Sequence, residues 1–304
     1  MTLQVKPDSG TVCLSSQFLW SRTSDFLELT KPRLTALVLF TTFVGFCLGM
    51  PDPAPLLVLI NTLIGTALIA GGAGALNMYS ERMRDALMKR TSRRPLAAGR
   101  LKRLHGLLFA LLLSFAGFVY LTVLVNPLPG LVSAAIVASY LFLYTPLKTK
   151  TWTAALVGAV PGALPIVMGW TAAGAGFSSG AWILFSIMYL WQIPHFYAIA
   201  WMHREDYARA GLPVLSVVDS TGRRTSRQGL VAIALLTAAS FAPALTGMAG
   251  RGYAVGAAAL AALFLFNAVR FARRHDYLTA RRLFICSAIY LPSLLMLLVI
   301  SARW

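Results

Sequence analysis

Acidic residues are scarce in this chain: ten Asp and Glu stand against 27 Lys and Arg over 304 residues. Charge of either sign accounts for only 12% of the sequence, whereas 58% is hydrophobic. A water-soluble domain of that balance lacks the polar side chains to cover itself. Cysteine is also sparse. Cys13, Cys47 and Cys286 lie far apart with no C-x-x-C pair, which excludes a disulfide framework and a zinc ribbon and leaves small buried hydrophobes. The first 30 residues are mixed and polar, with no short apolar core and small-residue cleavage site, so no cleavable signal peptide is expected.

What the chain has instead is long apolar runs. They recur at about 34–50, 56–76, 104–125, 129–146, 153–173, 180–201, 229–248, 253–270 and 283–301. Each is close to the 17–25 residues that span a bilayer as a helix. The expectation is an all-α polytopic membrane protein of nine transmembrane helices, residues 31–304 forming one domain behind a segment 1–30. The net charge of +17 fits this reading without nucleic acid. Numbering the loops by alternating sides puts all Lys and Arg but Arg251 and Arg303 on the side of the N-terminus. That bias predicts a cytoplasmic N-terminus, an outer C-terminus and a place in the cytoplasmic (inner) membrane, with some attraction to anionic lipid.

The outer loops are short and bland, whereas inner loops 77–103 and 202–228 are long and charged. In the first, Asn77, Glu81 and Asp85 recur every four residues. A helix puts them on one face over roughly 12 Å. Lys89, Arg90, Arg93 and Arg94 follow. Two readings compete. The plainer is a solvated helix end with Asp85 paired to Lys89. Against it, Glu81 and Asp85 are like charges four residues apart, and acids near a helix C-terminus oppose its dipole. A metal-diphosphate would reverse both penalties, because oxygen ligands suit a hard cation and Arg and Lys suit phosphate.

A second polar stretch closes the sixth run, which descends in the same direction as the second, so both end at one face. It comprises Trp191-Gln192-Ile193-Pro194-His195-Phe196 and then His203-Arg204-Glu205-Asp206-Tyr207. Gln192 and His195 fall roughly 10–15 Å inside the boundary and need a partner, either another helix or a ligand. A third stretch, Tyr144-Thr145-Pro146-Leu147-Lys148-Thr149-Lys150, reads as the turn after the fourth run, its lysines anchoring a hairpin or contacting diphosphate. No chain of charges threads the spans, which argues against a transporter.

Taken together these stretches carry a resemblance. Asn77-x3-Glu81-x3-Asp85 with Arg90-Thr91-x2-Arg94-Pro95-Leu96 is similar to the first signature of the intramembrane aromatic prenyltransferase (UbiA-type) superfamily, and Tyr144 to Lys148 to its second. Gly158-Ala159-x2-Gly162-Ala163-x-Pro165-x2-Met168-Gly169-Trp170 and Trp191-Gln192-x-Pro194-His195-Phe196, with Arg204 to Tyr207 and Gly211, resemble its branch acting on haem. The match runs from about residue 30 to 300. It departs at Glu81, where Asp is commoner, and at Thr149 and Ala154, where Arg and Asn are frequent.

The resemblance implies nine helices around a central cavity that opens to lipid and is capped by cytoplasmic loops. It implies a prenyltransferase joining farnesyl diphosphate to protohaem IX, and so making haem O for terminal oxidase cofactors. Asn77, Glu81, Asp85 and Asp206 would be catalytic, holding Mg2+ together with Glu205. Arg90, Arg94, Lys148 and Arg204 would bind diphosphate, and His195 and His203 haem. The lipid bilayer and a downstream haem-modifying enzyme or oxidase assembly factor are the expected partners. Two other readings stay open: a polyprenyltransferase acting on a quinone-precursor ring, and a non-catalytic haem carrier.

Overall fold

The computed structural model describes residues 23–50 and 55–302. Most of segment 1–30, Cys13, outer-loop residues 51–54 and Arg303 lie outside the described residues. Helices carry nearly all of the rest, and among the described residues the sole extended pairing is an isolated bridge between Ala249 and Ala302.

Among the described residues eight helices are long and apolar enough to cross a membrane. These are α3 (Leu56–Asp85), α4 (Arg103–Leu124), the unit Pro127–Leu147, α7 (Ala154–Ala172), α8 (Ser179–Met202), α11 (Arg223–Leu245), α12 (Arg251–Arg274) and α13 (Tyr277–Ser301). A ninth results if α1 (Thr23–Leu29) and α2 (Pro32–Leu48), bent by 47° at Thr30-Lys31, count as one span. Lys31 makes that bend in the left-handed region, φ 50°, uncommon for a residue with a side chain.

Every apolar run became a helix, but three helices outrun their runs by six residues or more, α13 among them, which begins at Tyr277 rather than near 283. The α3 helix continues nine residues past the expected end at 76, so Asn77, Glu81 and Asp85 belong to the helix rather than to a loop. The α11 helix begins at Arg223 rather than near 229. The unit Pro127–Leu147 comprises α5 (Pro127–Ala138), a π-helical stretch (Ser139–Tyr144) and the short α6 (Thr145–Leu147). Pro146 has no N–H, and its ring crowds the carbonyl four residues back, which accounts for the widened turn before it. Tyr144 to Leu147 of the turn read from the sequence are therefore the wound end of a helix, and the turn itself begins at Lys148.

Small residues set the packing. A Cβ on Gly72 would lie 2.3 Å from Ser114 Oγ on α4. On Gly45 of α2 it would lie 2.0 Å from the carbonyl oxygen of Ile166 on α7, and on Gly169 of α7 1.9 Å from that of Thr42 on α2. Contacts run from α2 through α3, α4 and α5 to α7 and back to α2, while α8, α11, α12 and α13 form a second group joined to the first chiefly by α8 against α7 and by α13 against α2. Between the groups lies a cavity of about 450 Å³. Two segments lie across one end of the bundle: the turns of residues 86–102, and α9 (Arg204–Arg209) with α10 (Leu215–Val218). Leu96 and Leu101 bury into a cluster with Leu29, Leu76 and Met78, which fixes the first segment. Met88 packs with Ala210 and Leu212, which joins it to the second.

Candidate active site

The cavity has two chemical ends. Lys31, Arg90, Lys148 and Tyr207 line one of them. Apolar and aromatic groups from α2, α3, α7 and α8 line the remainder, among them Val38, Ile69, Met168, Met188, Trp191 and Phe196. The π-helical stretch adds Tyr140 and Tyr144, whose ring centroids are 5.1 Å apart. Such a space takes a ligand with an anionic head and a long apolar body.

Asn77, Glu81 and Asp85 are buried along one face of α3, each faced by a cation from elsewhere. Lys31 Nζ donates to Asn77 Oδ1. Lys148 Nζ lies 2.7 Å from Glu81 Oε1, and Arg94 Nη1 lies 2.8 Å from Asp85 Oδ2. Asp85 therefore pairs with Arg94 rather than with Lys89, as the plainer sequence reading had it. Burial alone would depress Lys148, but Tyr144 and Glu81 beside it more than offset that and hold its pKa above the ordinary lysine value. Asp85 Oδ1 is buried with no hydrogen-bond partner. A buried carboxylate oxygen without a donor is costly, and a cation would satisfy it.

The facing stretch is brought near but not into contact. Asp206 forms an ion pair with Arg209, three residues on. Glu205 is exposed, and the Arg204 guanidinium lies 5.0 Å from the Trp201 ring centre rather than at the cavity. His203 ends α8, where burial and the charge of Arg90 push its pKa down. Among the described residues no three of His, Cys, Asp and Glu converge on a metal-holding point. The five residues read as metal ligands thus form an α3 row and a separate α9 pair.

His195 and Gln192 do face the cavity. Gln192 Nε2 donates to the carbonyls of Ala159 at 3.2 Å and Met188 at 3.0 Å, and Gly162 leaves room for its amide oxygen. His195 stacks on Trp191, centroids 4.8 Å apart, and its Nδ1 is 2.7 Å from Ser287 Oγ on α13.

Sequence reasoning passed over Lys31, whose position before Pro32 at the mouth of a span reads as a topological anchor. Its partner lies 46 residues away, and no local pattern signals that pairing.

Comparison with known proteins finds relatives over most of the chain. The UbiA prenyltransferase family model matches residues 38–294. A Protoheme IX farnesyltransferase of Solibacter usitatus (strain Ellin6076) is 48% identical over 277 residues, covering 88% of this chain and 95% of the relative. One from Salinibacter ruber (strain DSM 13855 / M31) is 41% identical over 277 residues, covering 91% and 98%. A structure of digeranylgeranylglyceryl phosphate synthase superposes with a TM-score of 0.77 at 15% identity, over 92% of this chain and 98% of that one. A UbiA homolog from Archaeoglobus fulgidus bound to GPP and Mg2+ gives 0.63 at 17% identity, over 90% and 99%. At such identities the structural likeness is one of fold.

Proposed function

The chain belongs to the UbiA prenyltransferase family, a multi-span membrane protein, and from that premise we propose that it farnesylates a vinyl group of protohaem IX to make haem O. The relatives named above supply the substrate pair. The observation within the chain that carries the reading is the two-ended cavity, with Lys31, Lys148 and Arg90 at its mouth and the Trp191–His195 pair in its wall. Residues 31–304 form the catalytic domain.

Farnesyl diphosphate would lie with its diphosphate among Lys31, Lys148, Arg90 and Arg94 and its isoprenoid tail in the apolar part. The allylic C–O bond breaks, and diphosphate leaves with the electron pair. The vinyl group of protohaem attacks the farnesyl cation through its terminal carbon. Water adds at the carbon next to the porphyrin ring and releases a proton, leaving a hydroxyethylfarnesyl side chain. Lys148 and the arginines offset the negative charge that develops on the leaving group. The apolar wall keeps bulk water from the cation until the carbon–carbon bond has formed.

Asn77, Glu81 and Asp85 would hold Mg2+ from α3, and Asp206 and Glu205 would join them from α9 once Asp206 exchanges Arg209 for the ion. The fit rests on an all-oxygen donor set and on the unpartnered Asp85 Oδ1. When bound, the ion supplies Lewis-acid stabilisation of the diphosphate. The Lys31–Asn77, Lys148–Glu81 and Arg94–Asp85 pairs suit an exchange in which the cations take phosphate and the oxygens take metal.

The bias of Lys and Arg toward one side supports a cytoplasmic mouth in the inner membrane. From there haem O would pass to a haem-modifying enzyme or oxidase assembly factor. The test is to incubate the protein in lipid vesicles with protohaem, farnesyl diphosphate and Mg2+, then extract the haems for mass spectrometry. Haem O is expected, and chelating Mg2+ should abolish it. No haem O, with prenylation of 4-hydroxybenzoate instead, would sink the assignment.

A further inference from the structure

One serine on α13 decides which nitrogen of His195 carries the proton. Ser287 is fully buried, and its Oγ has two partners: the carbonyl oxygen of Phe284 at 2.6 Å and His195 Nδ1 at 2.7 Å. A carbonyl can only accept, and a serine hydroxyl has a single proton to give. That proton goes to Phe284, so the bond to the imidazole must be supplied by Nδ1–H. The backbone carbonyl of the same Ser287 accepts from Trp191 Nε1 at 2.7 Å. Trp191 in turn stacks on the His195 ring, and Phe284 lies against it with centroids 5.1 Å apart. Ser287 thus clips both members of the Trp191–His195 pair, and the ring is fixed in both tautomer and orientation.

With Nδ1 protonated, neutral imidazole leaves Nε2 as a bare lone pair. Nε2 has no hydrogen-bond partner among the described residues and is not closed off from the solvent-accessible surface, and His195 lines the cavity. Among the described residues no carboxylate forms an ion pair with the ring. A lone pair repels a propionate, which needs an N–H donor, but it is what an iron atom takes. A histidine whose other nitrogen donates to a neighbour is also the arrangement that orients metal-bound imidazoles in general.

We propose that His195 binds protohaem through its iron, as an axial Nε2 ligand rather than a propionate partner, and that Ser287 is the residue that positions it. This rests on the haem-farnesylating reading above and adds how the acceptor is held. Axial ligation would fix the plane of the porphyrin relative to α8, and so which vinyl group meets the farnesyl end.

Haem added to the purified protein should give, when ferrous, the iron–histidine stretch in its resonance Raman spectrum. His195→Gly should lose that band while still taking up haem, and added imidazole should restore it. Ser287→Ala should weaken ferrous-haem binding about tenfold or more, the usual consequence of deleting the partner of a metal-bound histidine. Ser287→Thr, which keeps the hydroxyl, should recover most of it. Retained binding of farnesyl thiodiphosphate checks that each variant is folded. An unchanged iron spectrum in His195→Gly, in protein whose wild type makes haem O, overturns this inference alone. A wild type that makes no haem O overturns the reading beneath it.

Discussion

Glu81 and Lys148 meet at 2.7 Å with side chains only 10% and 16% exposed. A buried pair punishes the loss of one partner more than the loss of both, because the survivor is left charged without a counterion. Lys148→Met should therefore lower the unfolding midpoint in detergent, at a cost of about 3–5 kcal/mol, and also abolish turnover. Adding Glu81→Gln to it should restore most of the midpoint and none of the turnover. A double variant that melts no higher than Lys148→Met would mean that the pair is not what Lys148 contributes to stability. The same pairing marks the limit of what the sequence discloses. The four-residue spacing identifies Asn77, Glu81 and Asp85 as one face, because helical geometry is local. Which cation faces which oxygen is set by chain crossings 46 and 67 residues apart for Lys31 and Lys148, and spacing says nothing of those.

Among the helices, the α2–α7 crossing is the least forgiving. Gly45 and Gly169 each bring a backbone carbonyl of the opposite helix to about 2 Å from where a Cβ would stand. Carbonyls cannot rotate away as a side chain can, so the helices themselves must part. Gly169→Ala should cost about 1–3 kcal/mol, the usual price of overpacking, and should widen a wall of the cavity to which α2 and α7 both contribute. Gly229→Ala in α11, where a Cβ meets nothing within 4 Å, is the control and should leave the unfolding midpoint unchanged or slightly raised. Equal losses in the two variants would show that close approach is not what Gly169 provides. Apolar runs disclosed every spanning helix, because a bilayer demands both length and hydrophobicity. They misplaced one end each of α3, α11 and α13, because backbone hydrogen bonding continues where the side chains turn polar. The π-helical stretch has no hydrophobic signature at all.

Across the whole molecule, charge is sorted by side. The connections at residues 86–102, 148–153, 203–222 and 275–276 share one end of the bundle with most of the Lys and Arg, and both polar stretches open there. Among the described residues the opposite end has Arg251 at the start of α12 and otherwise short, uncharged connections. Translocating a basic loop is disfavoured, so the basic end should stay in the cytoplasm. The sequence could reveal this because the rule counts residues and needs no contacts. Two exposed positions test it in a chain whose Cys13, Cys47 and Cys286 are replaced by Ala. Ala98 lies among the turns after α3, and Thr246 follows α11 at the other end. In sealed right-side-out vesicles an impermeant maleimide should label Thr246→Cys at once, and Ala98→Cys only after the membrane is opened. The reverse pattern would place the cavity mouth outside, away from any cytoplasmic supply of farnesyl diphosphate. It would overturn the inward orientation while leaving the fold and the cavity as they stand.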